Sequence, residues 1–261
     1  MRRADVIHLV TAADYHAYRR ELEDMHRLRG RVFKDRLGWD VSVIDGLERD
    51  QFDDMEPIYL LAIDEQRTVV GAWRFLFTTG PYMLRDVFPP LLDGRPAPHD
   101  IGIWEGSRFA VERSSVRGGS LASVSQVAGE LLCAVVETCM AAGVRELITV
   151  YDSRMARLLR RMGCPPRWQS QPHPMGRTSA MAGHFDMSLE VLDGICAAMQ
   201  RANPDSAPQE ARPDPRLTHR GFSHGARYVR QQTRLHRLSA AIERGTAWPA
   251  PPVAVPRSGS A

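Results

Sequence analysis

Glu105 and Arg108 stand three residues apart in one apolar run, and Arg74 stands in another. Upstream, Asp50 and Asp53 repeat that spacing, and Arg29, Phe33 and Trp39 fall on what reads as the end of a long helix and the loop after it. These residue types suit work on a small charged molecule. A guanidinium donates two parallel hydrogen bonds to a carboxylate, and an indole face accepts a cation. A carboxylate beside a cleft becomes a general base when burial raises its pKa. Glu105 is the first candidate for that base, acting directly or through a water; its alternative is an ion pair with Arg108 or Arg74, which would lower its pKa. Asp50, Asp53, Arg74 and Arg108 also have a plainer reading, as a salt-bridge network ordering the loop around them, and Phe33 and Trp39 suit a core equally well.

A second set of charges follows. Arg154, Arg157 and Arg161 lie at i, i+3 and i+7, roughly one face of a helix. Such a face suits an acidic carrier protein, the phosphates of coenzyme A, or plain solvent. The histidines show no HExxH and no paired Cys/His spacing, so no metal site is predicted. His8, His26 and His184 read as surface or satisfied core residues. No strand-Gly-x-Gly-x-Gly-helix segment points to a methyltransferase.

The elements that must position these residues follow from periodicity. A strand is predicted over 6–10, then a helix from Thr11 or Asp14 to near Gly38, and an irregular, function-bearing loop over 39–57. Antiparallel hairpin strands are predicted over 58–63 and 69–77, a proline-rich surface excursion to 98 with a short helix at 83–87, and a strand over 102–111. A turn at 118–120 leads into an apolar helix over 121–142, then a strand over 147–151 and a basic helix to 163 capped by Asp152 or Ser153. A last strand over 183–189 and a short helix complete a domain of residues 1–202. Composition then turns to Pro, Arg, Ser and Ala, which predicts a mostly disordered tail over 203–261, with a polar basic helix at 226–244. The order of elements predicts an α/β fold, a mixed sheet flanked by helices.

With 34 basic and 31 acidic residues and a net charge of +3, the balance gives no reason to expect nucleic-acid binding. No apolar stretch approaches the roughly 20 residues that span a bilayer, and the N-terminus lacks the apolar core of a signal peptide. Neither CxxC pairs nor a dense framework are formed by Cys133, Cys139, Cys164 and Cys196, which predicts reduced, buried thiols in a soluble cytoplasmic protein.

In chain order, Arg29, Phe33, Trp39, Asp50, Asp53, Arg74, Glu105 and Arg108 resemble the signature of the acyl-homoserine-lactone (autoinducer) synthases. That signature has Arg, Phe and Trp on an N-terminal segment, two Asp at a three-residue spacing, a strand Arg, and Glu-x-x-Arg on a central strand. The resemblance runs over 22–163 and more weakly to about 192. It implies a fold like the N-acetyltransferase (GNAT) superfamily, whose splayed mixed sheet receives the pantetheine arm of an acyl donor. It implies two substrates, S-adenosylmethionine and an acyl thioester on acyl carrier protein or coenzyme A, with no separate cofactor. The product is a quorum-sensing signal, made by acylating the amine and then closing the lactone with release of methylthioadenosine. On this resemblance Arg29, Phe33, Trp39, Asp50 and Asp53 bind S-adenosylmethionine, and Glu105, Arg74 and Arg108 serve the chemistry. Thr149 falls where the family often has Ser or Thr in the acyl pocket, and Arg154, Arg157 and Arg161 would dock the donor. Residues 113–120 sit where related acetyltransferases bind pyrophosphate, but depart from their glycine spacing. Glu105→Gln and Arg74→Ala should then each suppress product formation while leaving the fold largely intact. The alternatives are a GNAT-type acyltransferase acting on a different small amine, and a catalytically silent binding protein on the same fold.

Overall fold

Runs of β-branched and aromatic residues at 58–63 and 69–77 form β4 (Ile58–Ile63) and β5 (Val69–Phe77), paired antiparallel. Their connection is held by Asp64, whose Oδ1 accepts from the amides of Gln66 and Thr68. The computed structural model describes residues 6–112, 121–175 and 178–202. The turn at 113–120 and the tail at 203–261, with its helix at 226–244, lie outside the described residues.

Ahead of the hairpin come β1 (Val6–Val10), α1 (Arg19–Arg29), β2 (Val43–Ile44) and β3 (Leu47–Glu48); after it come α2 (Met83–Asp86), β6 (Ile103–Val111) and α3 (Leu121–Ala141). The chain continues through β7 (Glu146–Asp152), α4 (Ser153–Arg161), β8 (Trp168–Gln169), β9 (His173–Met175), β10 (Thr178–Asp186) and α5 (Leu189–Ala202). The main sheet runs β1-β4-β5-β6-β7-β10-β8, with β9 also on β10. Every pairing in it is antiparallel except β6 with β7, which α3 connects. Side chains alternate across each strand. Trp73 and Phe75 therefore pack with α3 on one face, while Tyr59, Leu61 and Ala72 pack with α1 on the other. This is the mixed sheet flanked by helices that the sequence predicts.

The splay lies between the parallel strands. β6 and β7 pair only from Ile103↔Glu146 to Gly106↔Thr149. Beyond that point β6 stays on β5 and β7 stays on β10, so the strands part and open a notch.

Several boundaries differ from the sequence reading. The single long helix is a 3-10 turn at Ala12–Asp14, then α1, then a π-helical segment at Gly30–Arg36. Its predicted end holds, with Gly38 at φ 66°. The predicted irregular loop contains the β2–β3 hairpin, turned by Asp45 and Gly46 at φ 51° and 78°. Two positive φ values mark a type I′ turn, for which Asp-Gly is a strong signal. A 3-10 helix at Gln51–Met55 follows, capped by Asp50. β10 begins and ends earlier than predicted, and β8 and β9 are too short to show periodicity. Among the described residues no helix is long and apolar enough to cross a membrane.

Candidate active site

Arg29, at the last turn of α1, is fully buried, and burial alone would penalise its charge. Its Nη1 and Nη2 donate to the two carboxylate oxygens of Asp53 at 2.7 and 2.8 Å, and its Nε donates to Glu48 at 2.5 Å. Arg74, on β5, donates to both oxygens of Asp50 at 2.6 and 3.0 Å, to Asp53 at 2.8 Å and to Ser107 Oγ at 3.1 Å. Arg108, on β6, reaches Glu48 at 3.0 Å and Asp50 at 2.8 Å. Asp53 also accepts from the Tyr59 hydroxyl and the Asp50 amide. Three guanidinium groups thus meet three carboxylates in one closed network. Burial would raise the carboxyls of Asp50 and Asp53, but the adjacent arginines outweigh it and hold both below the ordinary range.

The expectation of an organising network is therefore met. These arginines are paired with Glu48, Asp50 and Asp53, and Arg74 also with Ser107. Glu48 was missed as a site residue. It is fully buried and ties Arg29 to Arg108. A Glu in a two-residue strand after Asp-Gly carries no signal of its own; only the hairpin turns it inward.

Arg108 has φ 58°, in the left-handed region that a non-glycine residue enters at a cost of roughly 1–3 kcal/mol. It sits where the β5–β6 register slips, between the pairs Ala72↔Ala110 and Arg74↔Ser107. The bulge carries the guanidinium to 5.4 Å from the Phe33 ring centroid, while Phe33 stacks on Trp39 at 5.2 Å. Phe33 belongs to the π-helical segment, so that segment supplies an aromatic wall beside the network.

Glu105 is fully buried, and its carboxylate accepts the amides of Met83 and Leu84 at 2.8 and 2.6 Å. Those amides open α2, so the side chain caps that short helix. The predicted alternative, an ion pair with Arg74 or Arg108, is not what forms; among the described residues both arginines bond elsewhere. Burial is the strongest influence on Glu105 and pushes its pKa up to about 7, against the pull of the two amides and the more distant Arg74 and Arg108.

A cavity of about 410 Å³ joins these parts. Its wall includes Phe33, Trp39, Ser107 and Arg108, together with Glu105 and Thr149 and apolar side chains such as Leu132, Val136 and Phe185. Trp39 and Trp73 also line it, and their indole N–H groups have no acceptor among the described residues. Thr149 is buried at the last paired position before the strands part, and among the described residues its hydroxyl makes only a 3.5 Å contact with the Val150 carbonyl.

The α4 helix is capped by Asp152, which accepts the amides of Arg154 and Met155. Arg154, Arg157 and Arg161 are exposed, and Arg154 also borders the cavity. His8, His26 and His184 are satisfied by Tyr18, the Glu48 carbonyl and Glu146.

A sequence model of the autoinducer synthase family matches residues 14–195. An acyl-homoserine-lactone synthase of Agrobacterium fabrum is 40% identical over 188 residues, covering 72% of this chain and 89% of that protein. One from Pseudomonas aeruginosa is 42% identical over 144 residues, covering 54% and 70%. Among solved structures, the acyl-homoserine-lactone synthase LasI superposes with a TM-score of 0.64 at 34% identity, covering 73% of this chain and 93% of that one. The coenzyme A-dependent synthase BjaI, solved with S-adenosylmethionine and isopentyl-coenzyme A, gives 0.64 at 30% identity, covering 76% and 99%.

Proposed function

The chain belongs to the autoinducer synthase family, and on that premise we propose how its own residues make an acyl-homoserine lactone from S-adenosylmethionine and an acyl thioester. The observation that supports the assignment is that one cavity is lined by Phe33, Trp39 and Arg108, by Glu105, and by apolar residues such as Leu132, Val136 and Phe185. A polar, cationic substrate and a fatty acyl chain need such unlike linings, and a base.

In the first step the amine of S-adenosylmethionine attacks the thioester carbonyl. The C–N bond forms, the C–S bond breaks, the thiolate leaves, and the ammonium proton passes to Glu105 or to a water it holds. A carboxyl near pH 7 is suited to take that proton and to give it up again. Phe33 and Trp39 offer aromatic faces to the sulfonium. Arg29, Arg74, Asp50 and Asp53 act as positioning residues that fix the walls of the substrate site, with Glu48 as a further member. Thr149 lies where the acyl chain passes, and its hydroxyl is available to a polar group on that chain.

In the second step the substrate carboxylate attacks the carbon bearing the sulfonium. That C–S bond breaks, the lactone closes, and methylthioadenosine leaves as a neutral sulfide. The step is intramolecular, so holding the substrate folded supplies much of its acceleration. Arg154, Arg157 and Arg161 give the donor side a cationic approach that matches either an acidic carrier protein or the phosphates of coenzyme A.

The test is mass spectrometry on extracts of cells expressing the protein and fed isotopically labelled methionine. A labelled acyl-homoserine lactone, absent from the empty-vector control, is expected and also identifies the acyl group. Its absence from cells holding abundant folded protein and several acyl precursors would instead favour acylation of another amine.

A further inference from the structure

On α3, the thiol of Cys133 faces α5. Cys133 is buried and Cys196, on α5, is only partly so; their Sγ atoms are 3.9 Å apart, and Met199 Sδ lies 3.9 Å from Cys133 Sγ. α3 and α5 pack directly against each other. A disulfide needs about 2.05 Å between the sulfurs, so closure requires an approach of roughly 2 Å. The same helix α3 supplies Leu132, Val135 and Val136 to the wall of the acyl cavity.

We propose that Cys133 and Cys196 form an oxidisable dithiol, which a peroxide closes into a disulfide that ties α5 to α3, reshapes the cavity wall and lowers turnover. Cys196, the more accessible sulfur, attacks the peroxide O–O bond. A sulfenic acid forms on Cys196 and hydroxide leaves. The Cys133 thiol then attacks the sulfenic sulfur, the S–S bond forms, and water departs. Two electrons have left the thiols and reduced one hydrogen peroxide to two waters; a thiol reductant reverses the closure.

The local electrostatics agree with that order of events. A hydrogen bond from Cys133 is the largest influence on Cys196 and lowers its pKa, against burial and the nearby Glu137 and Asp193. The same bond, then burial, raises Cys133, the resolving partner. Cys139 and Cys164 are buried, and burial raises both, Cys164 to about 11; they serve as internal controls.

The experiment treats the reduced full chain with stoichiometric hydrogen peroxide, alkylates the remaining thiols, digests without reduction and maps the peptides by mass spectrometry. The expected result is a Cys133–Cys196 crosslink, loss of alkylation at those two positions alone, and recovery of both by dithiothreitol. Cys196→Ser and Cys133→Ser should each abolish the crosslink, and turnover of Cys196→Ser should not respond to peroxide while that of the parent falls reversibly. Full alkylation of all four cysteines after oxidation, a crosslink through Cys139 or Cys164, or sulfinic acid on Cys196 beside an alkylated Cys133 would each overturn the assignment. A correct crosslink that leaves turnover unchanged would overturn the coupling to the cavity.

Discussion

At the scale of single residues, the decisive side chain is Glu105, because its environment is set by burial and not by an arginine. With a pKa pushed up to about 7, it is largely protonated in mild acid and ionised in mild base. Acylation should therefore fall as the pH drops through about 7, since only the ionised form accepts a proton. Glu105→Gln should lower kcat/KM by roughly 10²- to 10⁴-fold and remove this acid limb, with the circular dichroism spectrum retained. A pH profile unchanged by the substitution would assign the proton transfer elsewhere. Arg74→Ala is a less clean probe than the sequence suggests. It strips compensation from buried Asp50 and Asp53, and breaking a buried pair from one side costs about 3–5 kcal/mol. Product lost in that variant reports on folding as much as on chemistry.

Among elements, the parting of β6 and β7 makes the site, and Gly106 stands at the last paired position. A Cβ there would meet the Trp73 indole at 2.9–3.1 Å, tighter than packed atoms tolerate, so Trp73 would have to shift. Trp73 lines the cavity. Gly106→Ala is expected to raise KM for long acyl donors more than for short ones, and to cost about 1–3 kcal/mol of stability through overpacking. An equal change for every chain length would show that Trp73 does not border the path of the chain. The elements at this boundary were legible in different degrees. The spans of β4, β5 and β6 follow from runs of β-formers, and Arg74, Glu105 and Arg108 can be placed on strands without coordinates. The π-helical segment was not legible, because one extra residue per turn leaves the composition unchanged, yet it places Phe33. The β2–β3 turn is signalled by Asp45-Gly46, but two-residue strands give no periodicity that would mark Glu48 as inward-facing. The left-handed Arg108 has no sequence signal, since no Gly, Asn or Asp stands there to mark a positive φ.

For the whole molecule, the network joins α1, the hairpin, the 3-10 helix, β5 and β6, so its protonation state bears on global stability. Asp50 and Asp53 have folded-state pKa values below their ordinary 3.8. Their contribution is fully present above that value and is lost as the pH falls through the folded values, so Tm should drop steeply below about pH 4. Glu105 has the opposite sign. Its folded value of about 7 exceeds the ordinary 4.5, so its contribution is complete below 4.5 and is lost as the pH rises through about 7. Ionising it in place costs on the order of 3 kcal/mol. Buried His26 and partly buried His8 and His184, lowered chiefly by desolvation, pull the other way between these limits, since each loses stability as the pH falls through 6.5. A wild-type curve alone therefore mixes the two effects, and a difference separates them. The Tm of Glu105→Gln minus that of the parent should become more positive from about pH 5 to about pH 8, because only the parent ionises a carboxyl there. A flat difference would mean that Glu105 binds the same number of protons folded and unfolded across this range, so that burial does not raise its pKa toward 7 and does not tune it as the base.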